Sequence, residues 1–187
     1  MFILDWGGCA VVFESCCYSF AVGARGWVLF PMASPVDVGP GKIGEYCFIV
    51  AAPHRRELPA LYNGYRRTDA EPAILRQMEM ERCLLFPLFI TAFVLYDRLV
   101  DNDFFGAAQV VIGSVSSKTG FGLAQMLHDD NEVKQRIVGV TSPANVDFVN
   151  GLGCCDQVVV YGEEEEIDAS MPTAYVDMSG DVRLTRA

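Results

Sequence analysis

Blocks of hydrophobic and polar residues alternate along the second half of this chain. Four short apolar runs rich in β-branched residues, at 108–112, 136–140, 157–161 and 173–177, predict strands buried in a parallel sheet. Between the first two runs, apolar residues from Phe121 to Leu127 recur at helical spacing and stop at the polar stretch 128–131. This spacing predicts an amphipathic helix that begins at about Thr119. The pattern therefore predicts β-α-β units of an α/β domain.

The first half of the chain has a different pattern. Residues 1–52 contain apolar runs at 9–13, 26–30 and 46–50, separated by glycine-containing turns, which predicts a β-rich part without assigned chemistry. The longest apolar run covers residues 83–96 and is shorter than the ~20 residues that a membrane span needs. We expect it to form a helix between two domains, 1–82 and 83–187, with Pro87 near its first turn and no membrane partner.

The turn that joins the first strand to the helix of the second half is the most informative segment. A helix N-terminus at such a turn presents unpaired N–H groups and a partial positive charge, which suits a phosphate. The spacing of Gly113, Gly120 and Gly122 is not the dinucleotide fingerprint, but hydroxyl groups and one cation can donate to phosphate oxygens. The candidate binding residues here are Ser114, Ser116, Ser117, Lys118, Thr119 and Gly120. The alternative is that they only cap the helix and that the lysine is solvated.

A phosphoryl-transfer P-loop is the competing interpretation of the same turn. Lys118 and Thr119 follow a strand and precede a helix, as in that motif. However, Ser117 stands where the motif has a glycine, and Ile112 stands at the position of its first glycine. The sequence therefore disfavours phosphoryl transfer.

Residues 108–180 resemble the coenzyme domain of the medium-chain dehydrogenase/reductase superfamily, particularly its zinc-free quinone-oxidoreductase-like branch. The shared order is a strand, a phosphate loop, a helix with Gly120 and Gln125, a strand ending in Thr141-Ser142, a strand ending in Tyr161 and a strand ending in Asp177-x-x-Gly180. The loop 116–119 is similar to the Ser-Ser-Lys-Thr loop of an uncharacterised family related to that superfamily. Segments like 58–65 and 86–89 also occur in that family.

This resemblance implies a fold in two parts. We expect an incomplete Rossmann-type parallel sheet, preceded by the remainder of a β-rich GroES-like domain, because members of the superfamily are nearly twice as long. The chain would then be partial in both domains. Its start, at residues 1–8, has no basic region or cleavage site, so we expect no signal peptide.

The resemblance also implies hydride transfer between a nicotinamide and a carbonyl, enone or quinone, with the cofactor carrying the chemistry. NAD-binding proteins usually place an acidic residue at the end of the second strand, where this chain has Thr141 and Ser142. These hydroxyls and the Asn145 amide can donate to a 2′-phosphate, so we expect NADP in preference to NAD. The resemblance adds Tyr161 and Ser179 to the cofactor-binding candidates.

Reduction of a carbonyl also needs a proton donor. The candidates are Tyr62 and Tyr65, with Asn63 able to hold a carbonyl oxygen. The alternative is a turn with aromatic packing, since Asn63-Gly64 is a strong turn signal.

Charge and composition limit the classes of partner and cofactor that we expect for this chain. The net charge is −10, and residues 101–187 carry 14 acidic against 5 basic residues, which disfavours nucleic acid. The acidic run 163–166 is expected to be a solvated loop. Seven cysteines without Cys-x-x-Cys spacing and only two histidines predict a reduced, cytoplasmic protein without zinc or another metal.

Two classes of function remain at this stage. The first is an NADP-dependent, zinc-free oxidoreductase acting on a small molecule, with a homodimer expected by analogy and from an exposed sheet edge. The second is an inactive nucleotide-binding or structural protein, or a truncated fragment without function.

Overall fold

The computed structural model describes residues 5–31 and 37–180. The chain divides into two compact units, Met1–Pro87 and Leu88–Ala187, where the sequence predicted a division between residues 82 and 83. The first four residues and the segment after Gly180, on which expectations about the chain's start and end depended, lie outside the described residues.

The first unit contains a five-stranded antiparallel sheet with the strand order β1-β2-β5-β4-β3. Its strands are β1 (Asp5–Val11), β2 (Arg25–Pro31), β3 (Pro40–Ile43), β4 (Cys47–Val50) and β5 (Gly64–Arg67). The apolar runs at 26–30 and 46–50 correspond to β2 and β4. The prediction of a strand over 9–13 was wrong at its end, because β1 ends at Val11 and Phe13 lies exposed beyond it.

Helix α1 (Ala73–Gln77) is short, and α2 (Glu79–Asp101) has 23 residues. The expectation that Pro87 lies near the first turn was wrong, because α2 begins at Glu79 and Pro87 lies in its interior. Two acidic residues in the first turn, Glu79 and Glu81, stabilise the helix start ahead of the apolar run. Proline has no N–H, so the ladder loses the hydrogen bond that would reach the carbonyl of Cys83.

By length and composition, α2 alone among the described helices is able to cross a membrane. Its most apolar window has a mean hydropathy of 1.8, and 11% of that window is buried. The core helix of a soluble protein passes the same test, so the expectation of no membrane partner stays a prediction.

The start of α2 packs on the antiparallel sheet through a buried ion pair. Arg82 donates to Glu71 from both terminal nitrogens, Nη1 and Nη2, with Nη2 2.7 Å from Oε1, and the two side chains are only 4% and 6% exposed. The guanidinium also lies 4.9 Å from the ring of Trp27 and 5.4 Å from the ring of Phe86. The charge of Arg82 is therefore compensated by Glu71 and by two aromatic faces instead of water.

The second unit contains a four-stranded sheet in which all neighbours are parallel, with the order β8-β7-β6-β9. Its strands are β6 (Gln109–Gly113), β7 (Arg136–Thr141), β8 (Gln157–Val160) and β9 (Thr173–Asp177), and its helices are α3 (Lys118–Asp129) and α4 (Val146–Leu152). This is the order 3-2-1-4 of a Rossmann-type sheet. All four predicted strands and the predicted helix are present, and the predicted α/β class with a preceding β-rich part is confirmed.

Side chains on both faces of the parallel sheet are buried. On one face, Val110 and Ile112 pack in a cluster with Leu123 of α3 and Val149 of α4. On the other face, β6, β7 and β8 contribute a smaller cluster of valines, with Tyr161 and Ile167 packed against it. Strand β6 is buried along its whole length, as its apolar sequence predicted.

The second part of α2 approaches α3 closely. A side-chain carbon at Gly122 would lie 3.3 Å from Cβ of Ala92, so glycine allows the two helices to come together. The Tyr96 hydroxyl donates a 2.6 Å hydrogen bond to Asp130 after α3. This bond lowers the pKa of Asp130 and raises the pKa of Tyr96, because it stabilises the ionised carboxylate and the protonated phenol.

Removal of the Glu71 carboxylate should destabilise the first unit strongly. The variant Glu71→Ala leaves the Arg82 guanidinium buried without its counter-ion, so we expect a loss of about 3–5 kcal/mol in the free energy of unfolding. The matched control is Glu79→Ala, which breaks an ion pair with Arg25 whose side chains are 33% and 45% exposed, and should cost less than about 1 kcal/mol. Denaturant titration measures both, and equal losses would contradict the role given to the buried pair.

Candidate functional site

The candidate site lies where the strands of the parallel sheet end. The chain runs from β6 to β7 to β8 on one side and then returns to the other side of β6 with β9, so the strand order reverses between β6 and β9. In open α/β sheets, ligands bind outside the carboxyl ends of the strands at such a point. Four loops leave this edge, at residues 114–117, 142–145, 161–163 and 178–180.

The loop after β6 is held by backbone hydrogen bonds and one buried side chain. Ser114 has a φ of 54°, a left-handed conformation that is uncommon for serine. The N–H of Val115 donates to the Val140 carbonyl at 3.0 Å, and the Val115 side chain is fully buried. The Ser117 N–H then donates to the Ser114 carbonyl at 2.9 Å, so the turn is fixed at both ends.

Helix α3 begins directly after this turn. The Ser117 hydroxyl accepts a 3.1 Å bond from the Gly120 N–H, which makes Ser117 the N-cap. Lys118 is the first helical residue and is exposed, and Thr119 follows it. A side-chain carbon at Gly120 would lie 2.7 Å from the Ser114 carbonyl oxygen and 2.8 Å from Cα of Val115, so only glycine fits there.

Four polar side chains meet between the ends of β6 and β7, and we name Ser116, Thr141, Ser142 and Asn145 the hydroxyl cluster. The Ser116 oxygen lies 3.0 Å from the Thr141 hydroxyl and accepts a 3.1 Å bond from the Asn145 amide, which also donates to Ser142 at 3.1 Å. Thr141 is fully buried, whereas the other three are half-buried. With the Thr141 hydroxyl donating, the Ser116 oxygen accepts two hydrogen bonds, and its own O–H remains available as a donor.

Tyr161 and Ser179 lie in the loops that follow β8 and β9. The Tyr161 N–H donates to the Thr141 carbonyl at 3.0 Å, and its ring packs on the smaller valine cluster. Its hydroxyl is buried, and no hydrogen-bond partner lies within reach among the described residues. The Ser179 backbone and hydroxyl both donate to Asp177, at 2.8 and 2.6 Å, in a turn that ends β9.

Sequence reasoning missed Tyr175 at this site. A side-chain carbon at Gly113 would lie 2.6 Å from the Tyr175 hydroxyl, so this phenol lies beside the end of β6 where the turn begins. A side chain at Gly113 would therefore displace the Tyr175 hydroxyl. The sequence shows only that side chains alternate between the two faces of β9 around Tyr175. This alternation does not indicate which residue of β6 Tyr175 contacts.

The three candidate catalytic residues belong to the first unit. Both ends of the Asn63 amide bond Arg55, since Oδ1 accepts from Nε at 3.2 Å and Nδ2 donates to the carbonyl at 3.1 Å. Tyr65 is 3% exposed, and its ring lies 5.1 Å from that of Phe48. Tyr62 is half-buried, and its carbonyl accepts a 2.6 Å bond from Arg55. Their catalytic roles stay predictions.

Within residues 5–31 and 37–180, no group of three or more His, Cys, Asp or Glu side chains is arranged to hold a metal ion. The expectation that the protein uses no zinc stays a prediction.

Comparison with known proteins identifies a family but no activity. The model of the family described as "Protein of unknown function (DUF2855)" matches residues 3–187, and the chain belongs to this family. No curated protein matches the chain. Among solved structures, it is similar to the yhdH oxidoreductase from Salmonella enterica in complex with NADP, with 17% identity, a TM-score of 0.48, and coverage of 98% of this chain and 51% of that one. This chain thus spans about half the length of that structure, and a likeness at this level carries no argument about function.

Alanine at position 120 should destabilise the loop after β6. In Gly120→Ala, the new carbon would meet backbone atoms that cannot rotate away, so we expect a loss of about 1–3 kcal/mol in the free energy of unfolding. The matched control is Gly151→Ala in α4, where nothing lies within 4 Å, and where alanine should stabilise the helix by about 0.5–1 kcal/mol. Thermal or denaturant unfolding compares them, and a neutral Gly120→Ala would contradict the described loop geometry.

Proposed function

We propose that this member of the DUF2855 family is an NADP-dependent oxidoreductase that transfers a hydride between the nicotinamide and a carbonyl, enone or quinone, without zinc. The observation that carries the proposal is the hydroxyl cluster, which lies at the carboxyl ends of two parallel strands beside a capped helix N-terminus. A cytoplasmic location, a homodimer and a relation to the zinc-free branch of the medium-chain dehydrogenase/reductase superfamily belong to the same proposal.

The loop after β6 fits the phosphate groups of a dinucleotide. The close contacts at Gly120 show that the turn lies next to the first turn of α3, where backbone N–H groups and the helix dipole favour an anion. Lys118 adds a charge at the first position of the helix. The buried Tyr161 hydroxyl, which lacks a partner among the described residues, is a further polar group that a bound ligand can satisfy.

The preference for NADP over NAD rests on the hydroxyl cluster. The ends of β7 and the next turn carry Thr141, Ser142 and Asn145, and none of these has a carboxylate to repel a 2′-phosphate. The buried Thr141 hydroxyl and the Asn145 amide orient Ser116, so its O–H is directed by two fixed neighbours. An oriented O–H and an amide N–H are suitable donors to phosphate oxygens.

When bound, the nicotinamide supplies or accepts the hydride. The chain's residues bind and orient that group and hold the proton needed at the substrate oxygen. Of the three candidate catalytic residues, we propose Tyr62 as the proton donor, because Tyr65 is buried against Phe48 and the Asn63 amide is bonded to Arg55.

A second candidate function, nucleotide binding without catalysis, is favoured by the contacts that two of the three candidate catalytic residues make. The engagement of Asn63 and Tyr65 in structural contacts leaves a reduced set of groups for proton transfer. In that case the hydroxyl cluster would bind a nucleotide that regulates or stabilises the protein.

Ligand binding tests the proposal directly. We expect NADPH to raise the melting temperature more than NADH or ATP does at equal concentration, because a ligand that binds only the folded state stabilises it. In Ser116→Ala, the loss of one donor to a charged phosphate should weaken NADPH binding by about tenfold or more and leave NADH binding nearly unchanged. Titration calorimetry gives both affinities.

Two controls complete this measurement. Ser170→Ala removes an exposed hydroxyl that bonds only Asp168 in the described structure and should leave both affinities unchanged. Lys118→Ala should weaken both ligands alike, because both carry the pyrophosphate. Equal losses for the two ligands in Ser116→Ala would show that the hydroxyl cluster does not recognise the 2′-phosphate, and a shift with ATP alone would favour a P-loop function.

Turnover separates the two candidate functions. If Tyr62 donates the proton, Tyr62→Phe should lower kcat for an enone or quinone by about 10²–10⁴-fold without changing the affinity for NADPH. Tyr65→Phe, which keeps the buried ring, should change kcat little. We expect the wild-type chain to oxidise NADPH in assays with a panel of carbonyls, enones and quinones. The absorbance of NADPH measures this oxidation. Tight NADPH binding without turnover of any substrate would support the non-catalytic function instead.

A further inference from the structure

Two cysteines that are distant in sequence meet in the first unit. The Sγ atoms of Cys9 on β1 and Cys83 on α2 lie 3.9 Å apart, although 74 positions separate the residues. Both side chains are half-buried, so a small solute can reach them. No motif in the sequence connects them, and the site proposed for the nucleotide does not use them.

The packing of α2 on the sheet brings these sulfurs together. Cys9 is directly opposite Trp27 in the register of β1 and β2. The Trp27 ring touches Phe86 edge to face at 4.7 Å and also contacts the Arg82 guanidinium. Arg82 and Phe86 lie one turn apart on α2 and both contact Trp27, so this turn of the helix lies beside β2. Cys83 belongs to the same turn, and its sulfur reaches that of Cys9 on the neighbouring β1.

We propose that Cys9 and Cys83 are an oxidative modification site, at which a peroxide converts the two thiols into a disulfide. A disulfide has an S–S distance of about 2.05 Å, so the sulfurs must approach by about 2 Å, a shift within reach of side-chain rotation. The modification would connect the first strand of the sheet covalently to α2.

The disulfide forms in two steps, attack of one sulfur on the peroxide and then attack of the other sulfur on the first. The environment of Cys9 decides which sulfur reacts first. Burial and the neighbouring Cys83 raise the pKa of the Cys9 thiol to about 12, so Cys9 keeps its proton at neutral pH. The Cys83 sulfur is therefore assigned the first attack: it forms an S–O bond with hydrogen peroxide, and the hydroxide released leaves with the Cys83 proton as water, so that Cys83 is oxidised to a sulfenic acid and the peroxide is reduced. The Cys9 sulfur then attacks the Cys83 sulfur, and the sulfenic hydroxyl leaves with the Cys9 proton as a second water.

The remaining cysteines provide comparison sites. Cys47 is exposed on β4, and Cys16 is exposed in the loop after β1. Cys154 and Cys155 are neighbours in the chain, but Cys154 is only 1% exposed, so an oxidant in solution does not reach its sulfur. Selective loss of two thiols at Cys9 and Cys83 is thus distinguishable from general oxidation.

The test is mapping of the disulfide in the full chain. We expect the folded protein, treated with a stoichiometric amount of hydrogen peroxide and then unfolded and alkylated, to lose two alkylation sites relative to the untreated protein, at Cys9 and Cys83, while Cys47 remains labelled. Non-reducing peptide mapping should recover the two peptides joined within one molecule. The oxidised protein should melt several degrees higher, since the bond closes a long loop, and dithiothreitol should reverse the change.

Single variants make the test specific. Cys9→Ser and Cys83→Ser should each abolish the rise in melting temperature, whereas Cys47→Ser should keep it. The proposal is overturned if Cys9 and Cys83 of the peroxide-treated wild type are alkylated as completely as Cys47 once the protein is unfolded, or if the rise persists in Cys83→Ser. The wild-type peptide map decides the matter even where a serine variant does not fold.

Discussion

The central position of β6 is the constraint on which the second unit depends. Its five residues are all buried, and it bonds β7 on one side and β9 on the other, both in parallel registers. Parallel pairing brings the carboxyl ends of the strands to one edge, so the loops that follow β6, β7 and β9 must meet there. The binding candidates that follow β6 and β7 are neighbours for this reason, and a shift in the register of β6 would separate them.

The loop after β6 achieves a fixed shape with few glycines. A buried valine, Val115, anchors the turn in the core, and a bond from its N–H to β7 fixes the position of the turn relative to the neighbouring strand. Serine adopts the left-handed conformation at position 114, so glycine is needed in this loop and the first turn of α3 only where backbone atoms come very close, at Gly120. The shape that glycine-rich loops obtain through flexibility is obtained here through packing.

The sequence predicted the elements of the parallel sheet well, because its strands are short apolar runs bounded by polar turns and its helix has a regular apolar face. It predicted the start of α2 poorly, since the acidic residues that begin the helix precede the apolar run and Pro87 obscured its continuity. At the candidate site, the resemblance to a family and the strand ends supplied most of the binding candidates. The contact of Tyr175 with Gly113 and the bonds between Asn63 and Arg55 depend on strand register and on residues far apart in sequence, so no local pattern contains them.

The exposed apolar side chains of α2 have a consequence for the behaviour of this chain in solution. Leu84, Phe89 and Phe93 are each about half exposed or more, on a helix whose most apolar window is only 11% buried. Contacts between such surfaces attract two copies of the chain, while the net charge of −10 repels them. Salt shortens the range of that repulsion to about 10 Å at 0.1 M and leaves the apolar attraction in place. Self-association should therefore increase with ionic strength, so the chain is best kept dispersed in dilute buffer.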